Sequence, residues 1–219
     1  MSRTDRALAA ARHALVQLLE REGALATPAV ADAFRQTPRH LFVPADLVAE
    51  AYANRALPVD CGQTISQPWM VAVMTELLNP APHHTILEIG TGTGYQAAIL
   101  ARLCRRVVTV ERIPELCEQA ARRFRELGLT NIVGRIGDGT LGWPADGPYD
   151  GIVVTAGAPA VPAALGAQLR DGGVMAIPVG DRFRQTLLTV RRVGDAFTTE
   201  EHGACVFVRL IGRDGWTAE

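Results

Sequence analysis

The sequence predicts an α/β fold in which a mostly parallel sheet carries helices on both faces. Two observations predict this fold. Short apolar runs typical of buried strands alternate with helical patterns between residues 86 and 177. The first run leads into the alternating glycines Gly90, Gly92 and Gly94, which a helical pattern follows. A glycine turn at the first strand–helix junction is typical of an open sheet that binds a nucleotide-like ligand.

Three helices are expected before the sheet begins. Apolar residues repeat at helical spacing, and residues that cap, start or stop helices mark the ends. The boundaries are Thr4 to Gly23, Thr27 and Pro28 to Pro38, and Pro44 to about Tyr52. Because these helices precede the first core strand, we expect an N-terminal helical extension that packs on one edge of the sheet.

The remaining elements follow the alternation of strand and helix. Strands are expected at 86–89, 107–110, 132–136, 150–155 and 174–177, and helices at 69–77, 97–101, 114–127 and 163–169. Antiparallel C-terminal edge strands are expected at 187–190 and 204–210, around a turn at 193–195. We expect one domain, 1–219, with helices and a substrate loop at 1–82, a ligand-binding core at 83–180 and edge strands at 181–219.

Composition and charge argue against several classes of partner. Lys and Arg number 22 against 23 Asp and Glu, giving a net charge of −1 without a basic run, so no nucleic-acid partner is expected. The four cysteines form no C-x-x-C pair and the histidines lack metal-ligand spacing, which predicts free thiols and no metal site. The start of the chain does not resemble a signal peptide, and no stretch approaches the ~20 apolar residues of a membrane span. We therefore expect a cytoplasmic protein with no membrane partner.

The spacing of the glycines narrows the class of ligand. A dinucleotide fingerprint needs a third glycine where this chain has Tyr95, which disfavours a pyrophosphate cofactor. Glu111 ends the next strand, where a carboxylate can accept both hydroxyls of a ribose, and Asp138 lies between two glycines after the third strand. This ordered set resembles the S-adenosylmethionine site of Rossmann-like class I methyltransferases.

The segment at residues 62–68, with the sequence GQTISQP, precedes that strand. In the simplest interpretation, Ser66 or Gln67 caps the following helix and Pro68 lies in its first turn. That interpretation leaves Gln63 and Thr64 unexplained. The segment resembles the signature loop of protein-L-isoaspartate O-methyltransferases, and similar stretches extend over about residues 28–212. They include 38–44, 87–95, 110–112, 137–139, 149–159, 169–173 and 178–187.

The resemblance implies a reaction and a set of site residues. The family moves the methyl group of S-adenosylmethionine to the α-carboxylate of L-isoaspartyl residues in damaged proteins and peptides, leaving S-adenosylhomocysteine. The ester collapses to a succinimide, and its hydrolysis restores some normal aspartate. The resemblance implies Ser66 as the catalytic residue, and Ser66, Val206, Val208 and Arg209 at the substrate. The cofactor residues it implies are Gln63, Thr64, Ile65, Glu88, Gly90, Thr91, Gly92, Gly94, Glu111, Arg112, Asp138, Gly139 and Thr155.

This chemistry needs no strong catalytic base. A carboxyl group with a pKa of about 4 is almost wholly ionised at pH 7, so no proton must be removed before attack. The protein has to align the carboxylate oxygen, methyl carbon and sulfur and exclude water, and such positioning can lower a barrier by about 7–11 kcal/mol. A monomer acting on isoaspartyl proteins or peptides is the expected form.

One stretch departs from the family pattern. Where members usually carry VRFVPL on the last strand, residues 205–210 read CVFVRL, so Val206 replaces an arginine and Arg209 a proline. This change concerns substrate recognition, and it leaves alternatives open. They are an aspartyl O-methyltransferase dedicated to one ribosomally made peptide, a small-molecule carboxyl or O-methyltransferase, and a non-catalytic S-adenosylmethionine-binding protein. Residues 155–159, TAGAP, lack the tetrapeptide of nucleic-acid amine methyltransferases.

Overall fold

The computed structural model describes residues 2–217; Met1 and residues 218–219, the ends of the expected domain, lie outside them. The helices are α1 (Arg3–Arg21), α2 (Pro28–Gln36), α3 (Pro68–Leu78), α4 (Tyr95–Leu100), α5 (Pro114–Glu126) and α6 (Ala163–Gly166). The strands are β1 (Leu57–Pro58), β2 (Thr64–Ile65), β3 (Thr85–Ile89), β4 (Arg106–Glu111), β5 (Ile132–Ile136), β6 (Tyr149–Val154), β7 (Leu169–Gly180), β8 (Gln185–Val193) and β9 (Ala196–Cys205).

Strands β3 to β9 form one sheet in the order β5-β4-β3-β6-β7-β8-β9. The first five are parallel, and β8 and β9 add antiparallel edge strands, as the sequence predicted. Because the parallel strands share a direction, the residues that follow β3, β4, β5 and β6 meet at one edge of the sheet. This is the mostly parallel, Rossmann-like fold.

Apolar side chains cover both faces of the sheet. Neighbouring residues of β3 alternate between the faces, so that Ile86 and Leu87 belong to separate buried clusters. The cluster around Ile86 also contains Leu15 of α1 and Phe34 of α2. The N-terminal helices therefore pack on one face, against the layer of α3 and α4, and the expected position along an edge was wrong.

Several expected boundaries were also wrong. Helix α1 is capped by Ser2, whose hydroxyl accepts the Asp5 N–H at 3.0 Å while the Asp5 carboxylate accepts the Ser2 N–H, so Thr4 is not the cap. The expected helix from Pro44 is a 3₁₀ segment, Ala45–Glu50. Helix α6 ends at Gly166, because Leu169 already pairs with Tyr149 in the sheet.

The last strand differs most from expectation. Val193 pairs with Ala196 around the predicted turn, so β9 begins at once and runs through polar, exposed residues to Cys205. Residues 206–210 leave the sheet edge instead of forming a strand. Their path crosses the carboxyl ends of the parallel strands, where Arg209 bridges to Gly157.

Candidate functional site

The glycine turn between β3 and α4 takes left-handed backbone conformations that favour glycine. The φ angles of Gly90, Gly92 and Gly94 are 92°, 52° and 91°. A Cβ atom on Gly90 would lie 2.5 Å from the Thr155 hydroxyl oxygen, and one on Gly94 2.6 Å from the Phe124 ring, whereas one on Gly92 would meet nothing within 4 Å. Gly92 therefore faces open space. Gly94 does not line the cavity, and its lack of a side chain lets α4 pack closely against α5.

Two contiguous cavities, which together we call the central cavity, open beside this turn. They share Thr64, Gly90, Gly92 and Thr155 on their walls. Among the expected cofactor residues, those that line the central cavity are Gln63, Thr64, Ile65, Glu88, Gly90, Thr91, Gly92, Glu111, Arg112, Gly139 and Thr155. Ser66, Val208 and Arg209 line it as well, whereas Val206 lines a neighbouring cavity that also includes Ser66.

Glu111 is a buried carboxylate fixed by backbone donors. One of its oxygens accepts the Gly92 N–H at 2.9 Å, and the other accepts the Ile113 N–H at 3.0 Å. These bonds tie the end of β4 to the glycine turn and leave lone pairs on both oxygens, since a carboxylate oxygen can accept more than one hydrogen bond. The geometry suits an acceptor for two vicinal hydroxyls.

Glu88 is a second carboxyl group at the inner end of the central cavity, fully buried in β3. The Thr109 hydroxyl donates to its Oε2, and Oε1 has no hydrogen-bond partner. Burial raises the pKa of Glu88 from 4.5 to about 8, assisted by the nearby Glu111, although the Thr109 hydroxyl and the Ala97 backbone N–H act in the opposite direction. An unpaired buried acceptor is costly, and a cationic donor in the cavity would satisfy it.

The loop that carries Ser66 is held by a small hairpin. Strand β2 pairs with β1 through Ile65 with Leu57 and Thr64 with Pro58, and Ser66 follows directly. Among residues 2–217, none of the hydrogen bonds involves the Ser66 hydroxyl.

One of the two expected caps of the next helix, Gln67, is confirmed in position, with Pro68 in the first turn, but it makes no side-chain cap bond. Gln67 occupies the cap position of α3, but its side chain donates to the Asn54 carbonyl at 3.0 Å. The Asn54 side-chain oxygen instead accepts the Trp69 N–H at 3.0 Å. The Ser66 hydroxyl takes no part in this cap, and Ser66 lines both the central cavity and the cavity beside it.

Asp138 does not line the central cavity. Its Oδ1 accepts the Thr140 N–H at 2.9 Å and the Thr140 hydroxyl at 2.6 Å, and its Oδ2 accepts the Arg213 N–H at 2.8 Å. These bonds hold the turn after β5 against the C-terminal segment, residues 206–217. Burial is the largest single influence on the pKa of Asp138 and raises it, but the hydrogen bonds together outweigh burial, so the pKa is lowered. Of the expected acids at this sheet edge, Glu88 and Glu111 face the cavity.

Some cavity residues had not been expected from the sequence. Gln96, Val71, Leu210 and Ile211 lie on the walls. Gln96 is buried and donates to the Thr75 hydroxyl at 2.9 Å, and a glutamine within the otherwise apolar pattern of α4 is the one sequence signal that could have identified it. The others look like ordinary core residues in the sequence.

Residues 2–217 offer neither a metal site nor a membrane-spanning helix. No group of three or more His, Cys, Asp or Glu side chains is placed to hold a metal ion. Within the same residues, no helix combines the length and apolarity that crossing a membrane requires.

Comparisons with known proteins agree with this geometry. Residues 10–215 match the family model for protein-L-isoaspartate(D-aspartate) O-methyltransferase. A protein-L-isoaspartate O-methyltransferase of Trichlorobacter lovleyi is 52% identical over 193 residues, which cover 88% of this chain and 89% of the relative.

Two solved structures are similar as well. One is the structure of a protein-L-isoaspartate O-methyltransferase, with a TM-score of 0.86 and 30% sequence identity. The similar region covers 93% of this chain and 67% of the solved chain. A Plasmodium falciparum protein solved with S-adenosyl-L-homocysteine has a TM-score of 0.80 at 21% identity, covers 90% and 97% of the two chains, and shows the shared fold. With a family model that spans nearly the whole chain and a relative at 52% identity, this chain belongs to the protein-L-isoaspartate (D-aspartate) O-methyltransferase family.

Proposed function

We propose that the chain methylates the α-carboxylate of L-isoaspartyl residues in damaged proteins and peptides, with S-adenosylmethionine as methyl donor. The observation that carries the proposal is the position of Ser66. It lies on the wall of the central cavity, beside the glycine turn, and its hydroxyl makes no hydrogen bond to another described residue.

The central cavity has the donors and acceptors that S-adenosylmethionine requires. The Gly92 turn admits the ligand, and Glu111 would accept the ribose hydroxyls. The unpaired Oε1 of the buried Glu88 would accept a hydrogen bond from the ammonium group of the methionine portion. The positive charge of that ammonium group would lower the pKa of Glu88. When bound, the cofactor supplies a methyl group on a positively charged sulfur.

The residues around Ser66 would perform the substrate half of the reaction. The substrate carboxylate arrives ionised, so the protein need not remove a proton. The Ser66 hydroxyl would donate one hydrogen bond that orients the carboxylate without strongly stabilising its ground state. Thr64, Val208 and the apolar side chains behind them would exclude water from the reacting atoms.

Family membership does not favour the alternatives of a dedicated peptide enzyme or a small-molecule methyltransferase. We also propose a single-domain monomer in the cytoplasm. All four cysteines are free thiols, and three of them are buried, which is usual in a reducing compartment.

A methyl-transfer assay tests the proposal. An isoaspartyl peptide and its normal aspartyl twin would be incubated with the enzyme and labelled S-adenosylmethionine. We expect labelling of the isoaspartyl peptide alone. Equal labelling of both peptides, or cofactor binding without labelling across several isoaspartyl peptides, would contradict the assignment.

A further inference from the structure

A cavity lined by three arginines opens beside the central cavity. We call it the arginine cavity; its volume is about 460 Å³, and its lining residues are Gly62, Gln63, Arg112, Arg182, Phe183, Phe207, Val208, Arg209 and Ile211. None of these described lining residues is acidic, although the chain as a whole has a net charge of −1. Three guanidinium groups therefore come together at this wall.

The arginine cavity is continuous with the proposed active site. It shares with the central cavity Gln63, Arg112, Val208, Arg209 and Ile211. On the other side of Phe207 lies a third, more apolar cavity, whose walls include Ser66, Trp69 and Val206. It also contains one arginine, Arg55, which is ion-paired with Glu50. An extended peptide with its isoaspartyl residue at Ser66 would thus have one flank in mainly apolar surroundings and the other beside three arginines.

The backbone that carries Arg209 is fixed by hydrogen bonds to the segment after β6. The Gly157 N–H donates to the Val208 carbonyl at 2.7 Å, and the Leu210 N–H donates to the Gly157 carbonyl at 2.9 Å, so the backbone is bound on both sides of Arg209. The Trp216 indole also donates to that carbonyl at 3.0 Å. Arg209 is half-buried, whereas Arg112 and Arg182 are exposed. A guanidinium on a fixed backbone loses less freedom when it binds a carboxylate.

We infer that the enzyme prefers isoaspartyl substrates that carry an acidic side chain next to the isoaspartyl residue. This acidic side chain lies on the flank that enters the arginine cavity, where Arg209 binds its carboxylate. The inference rests on the proposed function. Guanidinium groups pair with carboxylates through parallel N–H···O bonds, which gives the recognition its geometry. Because the cavity is open to solvent, the preference should be moderate, about twofold to fivefold in KM.

Matched peptides test the inference. Two pairs of isoaspartyl peptides would be compared. In each pair, one peptide carries Glu and the other carries Gln at a single position. That position is immediately before the isoaspartyl residue in the first pair and immediately after it in the second. In one pair we expect the Glu peptide to have a KM about twofold to fivefold lower, with kcat unchanged. Raising the salt concentration should reduce the difference.

Variants assign the effect to the cavity. Arg209→Gln, and the double variant Arg182→Gln with Arg209→Gln, should bring the KM ratio of the two peptides close to one. Arg125→Gln removes the same charge from an exposed position on α5, outside the cavities, and should leave the ratio unchanged.

Three results would overturn the inference while leaving the proposed function intact, provided that isoaspartyl peptides are still methylated. They are equal KM values within both peptide pairs, a preference that survives in both arginine-cavity variants, and an equal loss of preference in Arg125→Gln. Absence of methylation for every isoaspartyl peptide would instead overturn the proposed function itself.

Discussion

Ser66 lies just outside the helix that follows it, and its hydroxyl makes no hydrogen bond to another described residue. A serine at the cap position would have its hydroxyl occupied by a backbone N–H, but the cap position of α3 belongs to Gln67, one residue after Ser66. Here Asn54 accepts the Trp69 N–H at 3.0 Å, and Ser66 stands between the central cavity and the apolar cavity next to it. Its hydroxyl is therefore available to a substrate carboxylate.

We expect Ser66→Ala to lower kcat by about tenfold, the value of one lost hydrogen bond, while the Kd for S-adenosylmethionine changes less than about twofold. Steady-state kinetics and calorimetric titration would measure the two quantities. Ser66→Thr, which keeps a hydroxyl, provides the control and should retain more activity than the alanine variant. Equal losses in kcat and cofactor affinity would mean that Ser66 only shapes the cofactor pocket.

Glu88 should make stability depend on pH. Its pKa is about 8 in the folded protein, against an ordinary value of 4.5. Between these values the folded state holds a proton that the unfolded state has lost, so the free energy of unfolding falls as pH rises. The stabilisation is fully present below about pH 4.5 and is lost as pH rises through about 8.

Urea unfolding of the wild type and Glu88→Gln across this pH range would measure the effect. The glutamine variant lacks the titrating group, so the free energy of unfolding of the wild type relative to the variant should decrease by a few kcal/mol as pH rises. A constant difference across the range would show that Glu88 is not protonated in the folded protein.

At the scale of elements, the β3–α4 turn uses its glycines for different purposes. Gly92→Val would place a branched side chain in the open space of the central cavity. We expect the protein to fold, with about 1–2 kcal/mol of backbone strain, and to lose cofactor binding. Thermal unfolding and a cofactor titration would measure both. Normal cofactor affinity in a folded Gly92→Val variant would contradict this placement.

Gly94→Ala serves as a matched comparison within the same turn. Its Cβ would lie 2.6 Å from the Phe124 ring, so either the ring or α4 must move, which costs about 1–3 kcal/mol. This variant should lose stability, with cofactor affinity reduced less than in Gly92→Val.

Elements buried on both faces were predictable, whereas the edge strand was not. Strands β3, β4 and β6 are mainly apolar and buried along nearly their whole length because helices cover both their faces. Strand β9 lies at the sheet edge with almost all of its residues exposed, so its polar sequence contains no apolar alternation to mark it. Pairing with β8 around the turn at 194–195 decides its position.

At the scale of the whole molecule, the N-terminal helices are joined to the layer beside the active site. The Glu76 carboxylate of α3 accepts the Ala26 and Thr27 N–H groups at 3.0 and 2.9 Å and the Thr27 hydroxyl at 2.6 Å. The buried Arg39 guanidinium lies 4.9 Å from the centre of the Tyr95 ring, at the start of α4. The extension thus supports the elements that present Ser66 and the glycine turn.

We expect Glu76→Ala to reduce the free energy of unfolding by about 1.5–3 kcal/mol, because three donors lose a charged acceptor. For a chain of this size, each kcal/mol lowers Tm by about 2–4 °C. Calorimetry of the variant beside Glu118→Ala, an exposed glutamate on α5, would measure the effect. Equal Tm values for the two variants would contradict the role given to Glu76.

The sequence by itself determined the fold class, the glycine turn, the placement of Glu111 and the signature loop around Ser66. These features depend on local properties, namely the order of apolar runs and the identity of residues a few positions apart. Because β3 and β4 are neighbours in the parallel sheet, their carboxyl ends, with the glycine turn and Glu111, lie side by side.

Only the tertiary structure decided which side chains face the cavity. Asp138 turns towards Arg213, 75 positions further along the chain, and Asn54 caps a helix 15 positions away. Arg112, Arg182 and Arg209 gather around one cavity from three separate parts of the chain. Each arrangement depends on contacts between distant segments, which become defined when the core has packed and buried polar groups must find partners.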